Sequence, residues 1–411
     1  MIKRRSFIVI LVLVVAGFLF NQCTQTVQRS NDARGEGYAG AATCVKCHAD
    51  IAVSYAATAH ANSTAPATRA RIAGSFHKDS NHYEYNPHMK VVMKEQDGRF
   101  YQAAVQDGVE RAAFPFDIVI GSGRKAQTFL YWYGANAFQL PVTYSVAAKA
   151  WVNSPNYPAD KIRFDRMIPI GCFECHSSYI ERTAIRAQKG YRVDDFNPNN
   201  IIYGIDCERC HGPAAAHVAY QEEHPSEKIA KYITSYKSLS NLQRLENCAA
   251  CHSGIHEPLR TPFGFKPGEL LKDYFQPDAV QQAASELDVH GNQYQLLQAS
   301  KCFKNSAQQM SCSSCHNPHK QERDNLQVLS TRCMSCHVPG GKQFCLFADK
   351  VGSVITTNCI DCHMPARASQ VITLKGEGQN RATPNLVRSH LISVYPDVAK
   401  KELGRLGNRG K

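Results

Sequence analysis

Apolar residues fall into three regimes along the chain. The first is an unbroken apolar run from Phe7 to Phe20 behind the positive cluster Lys3, Arg4 and Arg5, shorter than the roughly 20 residues of an ordinary membrane span. It predicts an export signal or signal anchor over residues 1–22. In the second regime, near residues 76–165, the β-prone runs Val91-Val92-Met93, Phe100 to Val105 and Phe116 to Ile120 are separated by the hairpin signals Asp97-Gly98 and Asp107-Gly108. A small antiparallel β insertion is expected there. Gly121-Ser122-Gly123-Arg124-Lys125 lacks the spacing of a phosphate loop and reads as a strand-ending turn. Trp132, Tyr133 and Trp151 read as core or cofactor-packing aromatics. In the third regime, from Cys172 onward, the segments are mostly helical or irregular and share no long repeat. The expected fold is therefore mainly α with much irregular structure, plus the β insertion.

Cysteine changes the picture, because 17 of them in 411 residues need an explanation. Fourteen fall in seven C-x-x-C-H motifs: Cys44/Cys47/His48, Cys172/Cys175/His176, Cys207/Cys210/His211, Cys248/Cys251/His252, Cys312/Cys315/His316, Cys333/Cys336/His337 and Cys359/Cys362/His363. Chance would give about 0.03 such motifs in a chain of this composition, and the pattern is that of covalent c-type haem attachment. Cysteines three apart share one face of a helical turn, so both sulfurs reach the two vinyl groups of one porphyrin and the next histidine reaches the iron. Zinc sites also use C-x-x-C pairs, but zinc gives no reason for a histidine after every second cysteine. Seven haems c are expected, with porphyrins forming much of the core and the apoprotein largely unfolded.

The chain has 17 histidines, so ten remain for the outer face of the irons. His60, His217, His290, His319 and His390 are the leading candidates, followed by His77, His82 and then His256, while His88 and His224 sit in polar segments. An iron with two histidines has no open site, which favours electron transfer over catalysis.

Cys23 directly follows the apolar run and suggests a lipoprotein, against an uncleaved anchor. Residues 23–43 read as a polar tether, 44–165 as the first haem with the β insertion, and 166–411 as a six-haem domain. Cys302 and Cys345, outside the motifs, either pair as a disulfide or stay free. The formal charge of +12 does not point to nucleic acid. Loss of the leader removes three positive charges, and about fourteen haem propionates offset the rest.

Cys44 to His60, Cys207-Glu208-Arg209-Cys210-His211-Gly212-Pro213 with its trailing His217, Cys312 to His319, and Cys359-Ile360-Asp361-Cys362-His363-Met364-Pro365 resemble the multihaem superfamily of tetrahaem cytochrome c-554, hydroxylamine oxidoreductase and pentahaem nitrite reductase. The resemblance covers most of residues 44–390 and implies stacked haems, mostly bis-histidine ligation and a mainly helical scaffold. Pentahaem nitrite reductases usually carry a lysine in one motif, and all seven motifs here end in histidine. The function expected is electron carriage outside the cytoplasm, between redox partner proteins and with the membrane near the amino terminus. The alternatives are an oxidoreductase acting on a small nitrogen or sulfur species, or a subunit of a cytochrome filament.

Overall fold

The computed structural model describes residues 32–407 apart from 189, 255, 277–281, 307–308 and 380. The export signal, Cys23 and the start of the tether lie outside the described residues. Among the described residues no helix is long and apolar enough to cross a membrane.

The scaffold is not mainly α: 28% of residues are helical and 28% lie in strands, in four antiparallel sheets. Much of the excess is in the insertion, whose strands run from Thr64 to Met167. Four of them, His82–Asn86, Met89–Gln96, Arg99–Gln106 and Val109–Pro115, form a meander. Asp97-Gly98 and Asp107-Gly108 hold both turn residues at positive φ, the geometry of the tight turns that match strand twist. Val91 and Met93 are fully buried two apart on one strand, as a half-buried sheet requires. A second sheet combines Thr64–Pro66, Ile118–Ile120, Ala126–Tyr133, Asn136–Gln139, Val142–Ser145, Ala150–Asn153 and Arg166–Met167. Gly121 to Lys125 is the connection between two of these strands.

The two sheets pack face to face. Buried Gln102 donates Nε2–H to the Val142 carbonyl at 2.7 Å and accepts the Val142 N–H at 3.0 Å, so a side chain on one sheet pairs like a strand with the other. Phe116 stacks on Phe129 at 4.5 Å, and Trp151 packs among them with its indole N–H on the Ser75 carbonyl at 2.8 Å. Trp151 is thus a sheet-core residue, whereas Tyr133 is exposed. Trp132 faces the other way, parallel to Phe173 inside the second motif.

The other two sheets are hairpins. Ser177–Gln188 pairs with Tyr191–Tyr203 between the second and third motifs, and Ala366–Leu374 pairs with Thr383–Arg388 after the seventh. The first is interrupted by register shifts and carries Glu181, Arg182, Arg186, Arg192, Asp194 and Asp195, so no apolar alternation marks it as strand. The helices are short. The longest described ones, Asn241–His252 and Pro396–Gly407, have 12 residues each. The sheet module abuts the second motif: Ser63 and Thr64 hydroxyls donate to the His176 carbonyl at 2.7 and 2.9 Å, and Asp194 accepts the Ile170 N–H at 2.9 Å.

A Cβ added at Gly74 would lie 2.1 Å from Cζ2 of Trp151. Gly74→Ala is expected to cost about 1–3 kcal/mol through overpacking, read as a lower thermal midpoint with faster amide exchange in the two packed sheets.

Candidate haem-binding site

Each motif is built on about one helical turn. In four of them the histidine N–H bonds back to the carbonyl of the first cysteine, at 2.9 Å for His48, His316 and His337 and 3.1 Å for His363. This closed turn brings both thiols to one side and presents the imidazole beside them. A single turn is not stable alone, so tertiary bonds must hold it.

Several of those bonds come from residues between the motif cysteines. Glu208 is buried, and its carboxylate accepts the N–H groups of Ala39 (2.9 Å), Gly40 (2.8 Å) and Ala214 (2.8 Å), fixing the lead into the first motif against the third. Its neighbour Asp206 caps the third motif helix by accepting the Arg209 N–H at 2.9 Å. Arg34, only 4% exposed, bridges Asp32, Asp206 and Glu208 at 2.9, 2.6 and 3.2 Å. Burial opposes its charge, yet the bonds to Asp32 and Asp206 outweigh it and raise the Arg34 pKa. Buried Arg209 donates to the Pro262 carbonyl at 2.8 Å and to the Glu174 carbonyl, in the second motif, at 3.2 Å. Arg332, just before Cys333, reaches the Cys315 carbonyl and Glu322, and the Ser330 hydroxyl accepts the Cys359 N–H at 2.9 Å.

The motifs meet thiol to thiol. Cys44 lies beside Cys207, Cys175 beside Cys251, Cys248 beside Cys312 and Cys333 beside Cys359. Cys210 lies close enough to Cys251 to feel its charge, and Asn247 of the fourth motif helix donates to the Cys210 carbonyl at 3.2 Å. With the Arg332 link between the fifth and sixth, all seven motifs form one connected network, and the fourth is its junction.

The fourteen attachment cysteines differ in how far protein covers them. Cys47, Cys210 and Cys336 are exposed, whereas the other eleven are at least half-covered by protein. Each of the three is the second cysteine of its motif. Cys47 and Cys336 stand just past the ends of the helices Ala41–Val45 and Leu326–Met334, where the chain turns outward and the next residue, His48 or His337, is exposed as well. Cys210 differs, because enough protein rings it to push its thiol up to about 12.

The histidines meet in pairs. Ring centroids lie 6.0 Å apart for His60 and His252, 5.8 Å for His211 and His319, and 5.9 Å for His316 and His390. His290 is a neighbour of His176. An imidazole nitrogen binds a metal at about 2 Å, so two rings facing each other across one iron stand about 6 Å apart between centroids. These pairs therefore fit an iron between them. Burial lowers the pKa of all eight rings, to about 4 for His176, His252 and His390. They are held neutral, the form that ligates a metal. His390 Nδ1–H donates to Gln293 Oε1 at 2.6 Å, leaving Nε2 for the partner side.

The other histidines are placed differently. His337 and His363 donate Nδ1–H to the carbonyls of Gln343 (2.7 Å) and Ser393 (2.9 Å). His217 does the same to Lys231 at 2.9 Å. His77 stands 3.4 Å from Asp79, His82 lies within 4.8 Å of the Glu84 and Glu377 carboxylates, and His88 bonds to Asp107 at 2.8 Å, all on the sheet module. His224 stacks on Tyr220, and His256 donates Nε2–H to the Ser253 carbonyl at 2.7 Å. Cys302 and Cys345 are both free thiols. Cys302 lies near Cys315 and Cys333, and Cys345 near Cys362. Arg34, Glu208 and Arg209 escaped the sequence reading. Their only signal was charge, and the third motif is the one with two charged residues between its cysteines.

Arg34→Ala would leave Asp206 and Glu208 buried without their cation; a loss of about 3–5 kcal/mol is expected by urea unfolding.

Residues 148–212, which include the second and third motifs, match the family described as cytochrome c554 and c-prime. Over 172 residues, 42% of this chain, the sequence is 22% identical to the C-type polyheme cytochrome OmcC of Geobacter sulfurreducens, and over 181 residues it is 25% identical to the multiheme cytochrome MtrA of Shewanella baltica. The matched segments span 20% of the first relative and 51% of the second. The fold resembles that of the outer cell wall cytochrome OcwA with a TM-score of 0.51 and 18% identity, over 89% of this chain and 81% of that one. Taken with the attachment motifs, these likenesses show that the chain resembles multihaem c-type cytochromes in sequence and in fold.

Proposed function

We propose that the protein carries seven covalently attached haems and passes electrons between redox partners outside the cytoplasm, near a membrane surface. The connected network of motif thiols is the observation that carries the reading. A thioether sulfur lies at a porphyrin edge, so sulfurs of neighbouring motifs in mutual contact bring the edges of their haems together. The network runs from the first motif through the third to the fourth, which also meets the second. It then continues through the fifth and sixth to the seventh.

In this reading the haem supplies the redox change, and the chain supplies position and ligation. His60, His290, His319 and His390 close the irons held by His252, His176, His211 and His316. Paired neutral imidazoles exclude other ligands and keep those irons to outer-sphere transfer. Location outside the cytoplasm rests on the leader and on the chemistry of haem attachment.

The fourth motif supplies the test. In a Cys248→Ala/Cys251→Ala protein carrying six haems, electrons entering at the seventh motif would stall before the first three. Stopped-flow reduction by a partner at that end should turn from one concerted phase into a fast phase of three haems and a slow phase of three. Unchanged single-phase reduction would reject the network as the route.

A further inference from the structure

Resting on the seven-haem reading above, we propose that the irons held by His337 and His363 keep their outer faces open. They form a paired binding site for a small inorganic ligand at the carboxy-terminal end of the network.

All of the chain's 17 histidines can be assigned a place. Seven belong to motifs, and four others face motif rings. His217 goes to the first motif. Its helix, Ala215–Glu223, starts with the Ala215 N–H on the Gly37 carbonyl at 3.1 Å, in the segment that leads into Cys44. The Lys231 carbonyl takes the proton of Nδ1, so Nε2 is left for the iron held by His48.

Five histidines remain, and each is engaged elsewhere. His77, His82 and His88 belong to the sheet module beside carboxylates. His224 lies on Tyr220 of its own helix, and His256 is tied to Ser253. No histidine is left for the sixth and seventh motifs.

Those two motifs are nevertheless built to hold iron. His337 and His363 both have Nδ1–H fixed on a backbone carbonyl, the arrangement that orients Nε2 toward a metal. The Ser330 hydroxyl, on the helix that carries Cys333, accepts the Cys359 N–H at 2.9 Å, so the two motifs and their irons are neighbours, and Arg332 joins them to the fifth motif. The loop that follows the sixth motif is open to solvent, with Leu346 94% accessible. An open ferrous iron takes a small neutral π-acceptor and an open ferric iron a small anion. Electrons would reach such a ligand through the same network.

Carbon monoxide is the probe, titrated into the fully reduced holoprotein, with haem counted independently by the alkaline pyridine spectrum. The expected result is two carbon monoxide molecules per seven haems. His217→Gly should raise this to three, and His256→Ala should leave it at two. Removing the attachment cysteines of the sixth motif (Cys333→Ala/Cys336→Ala) or of the seventh (Cys359→Ala/Cys362→Ala) should leave one, whereas removing those of the second (Cys172→Ala/Cys175→Ala) should leave two. Seven haems with no carbon monoxide bound overturn the proposal. So does a value below two that rises in Cys302→Ala or Cys345→Ala, which would assign a thiolate to the closed face. A count below seven haems instead fails the underlying reading.

Discussion

Two neutral imidazoles buried about 6 Å apart, as His60 and His252 are, form an arrangement that a folded chain gains nothing from by itself. Each ring has lost water, which is why its protonation is pushed down, and ring contact at that distance returns little of the cost. A metal held between the rings offsets both through its bonds to nitrogen. With three such pairs at 5.8 to 6.0 Å and His290 beside His176, iron ligation is, in the proposed reading, the constraint to which the rest of the scaffold answers.

The scaffold answers by stitching short turns together. Haem attachment needs a single helical turn, and single turns have no cooperative stability. Residues between and beside the motif cysteines therefore take the place that long helices fill elsewhere. Glu208 gathers three N–H groups, Arg209 ties the third motif to the second, and Arg332 and Ser330 tie the fifth to the seventh. The packed sheets add a rigid wall, with Thr64 and Trp132 pressed on the second motif. The hairpin after the seventh motif returns Arg388 to Asp361, inside that motif.

The chemistry of the site was legible in the sequence because covalent attachment leaves a local signature of fixed spacing. Five distal candidates could be ranked there; in the structure the rings of His60, His319 and His390 lie 5.8 to 6.0 Å from motif rings, and His290 lies near His176. Which ring faces which was not legible, because that depends on long-range packing. The fold class was misread for a related reason. Strands such as Asn136–Gln139 and Ala150–Asn153 are four residues long, and the Ser177–Tyr203 hairpin is charged on both faces, so neither shows the alternation that reveals a strand. The Asp-Gly turns were legible because a positive φ at both positions restricts the residues allowed.

Locating iron tests the ligation of these rings most directly. Anomalous scattering from crystals of the natively matured protein should place one iron midway between the rings of His252 and His60, one between His211 and His319, and one between His316 and His390. An empty gap between His252 and His60 in a protein that carries its haems would contradict it.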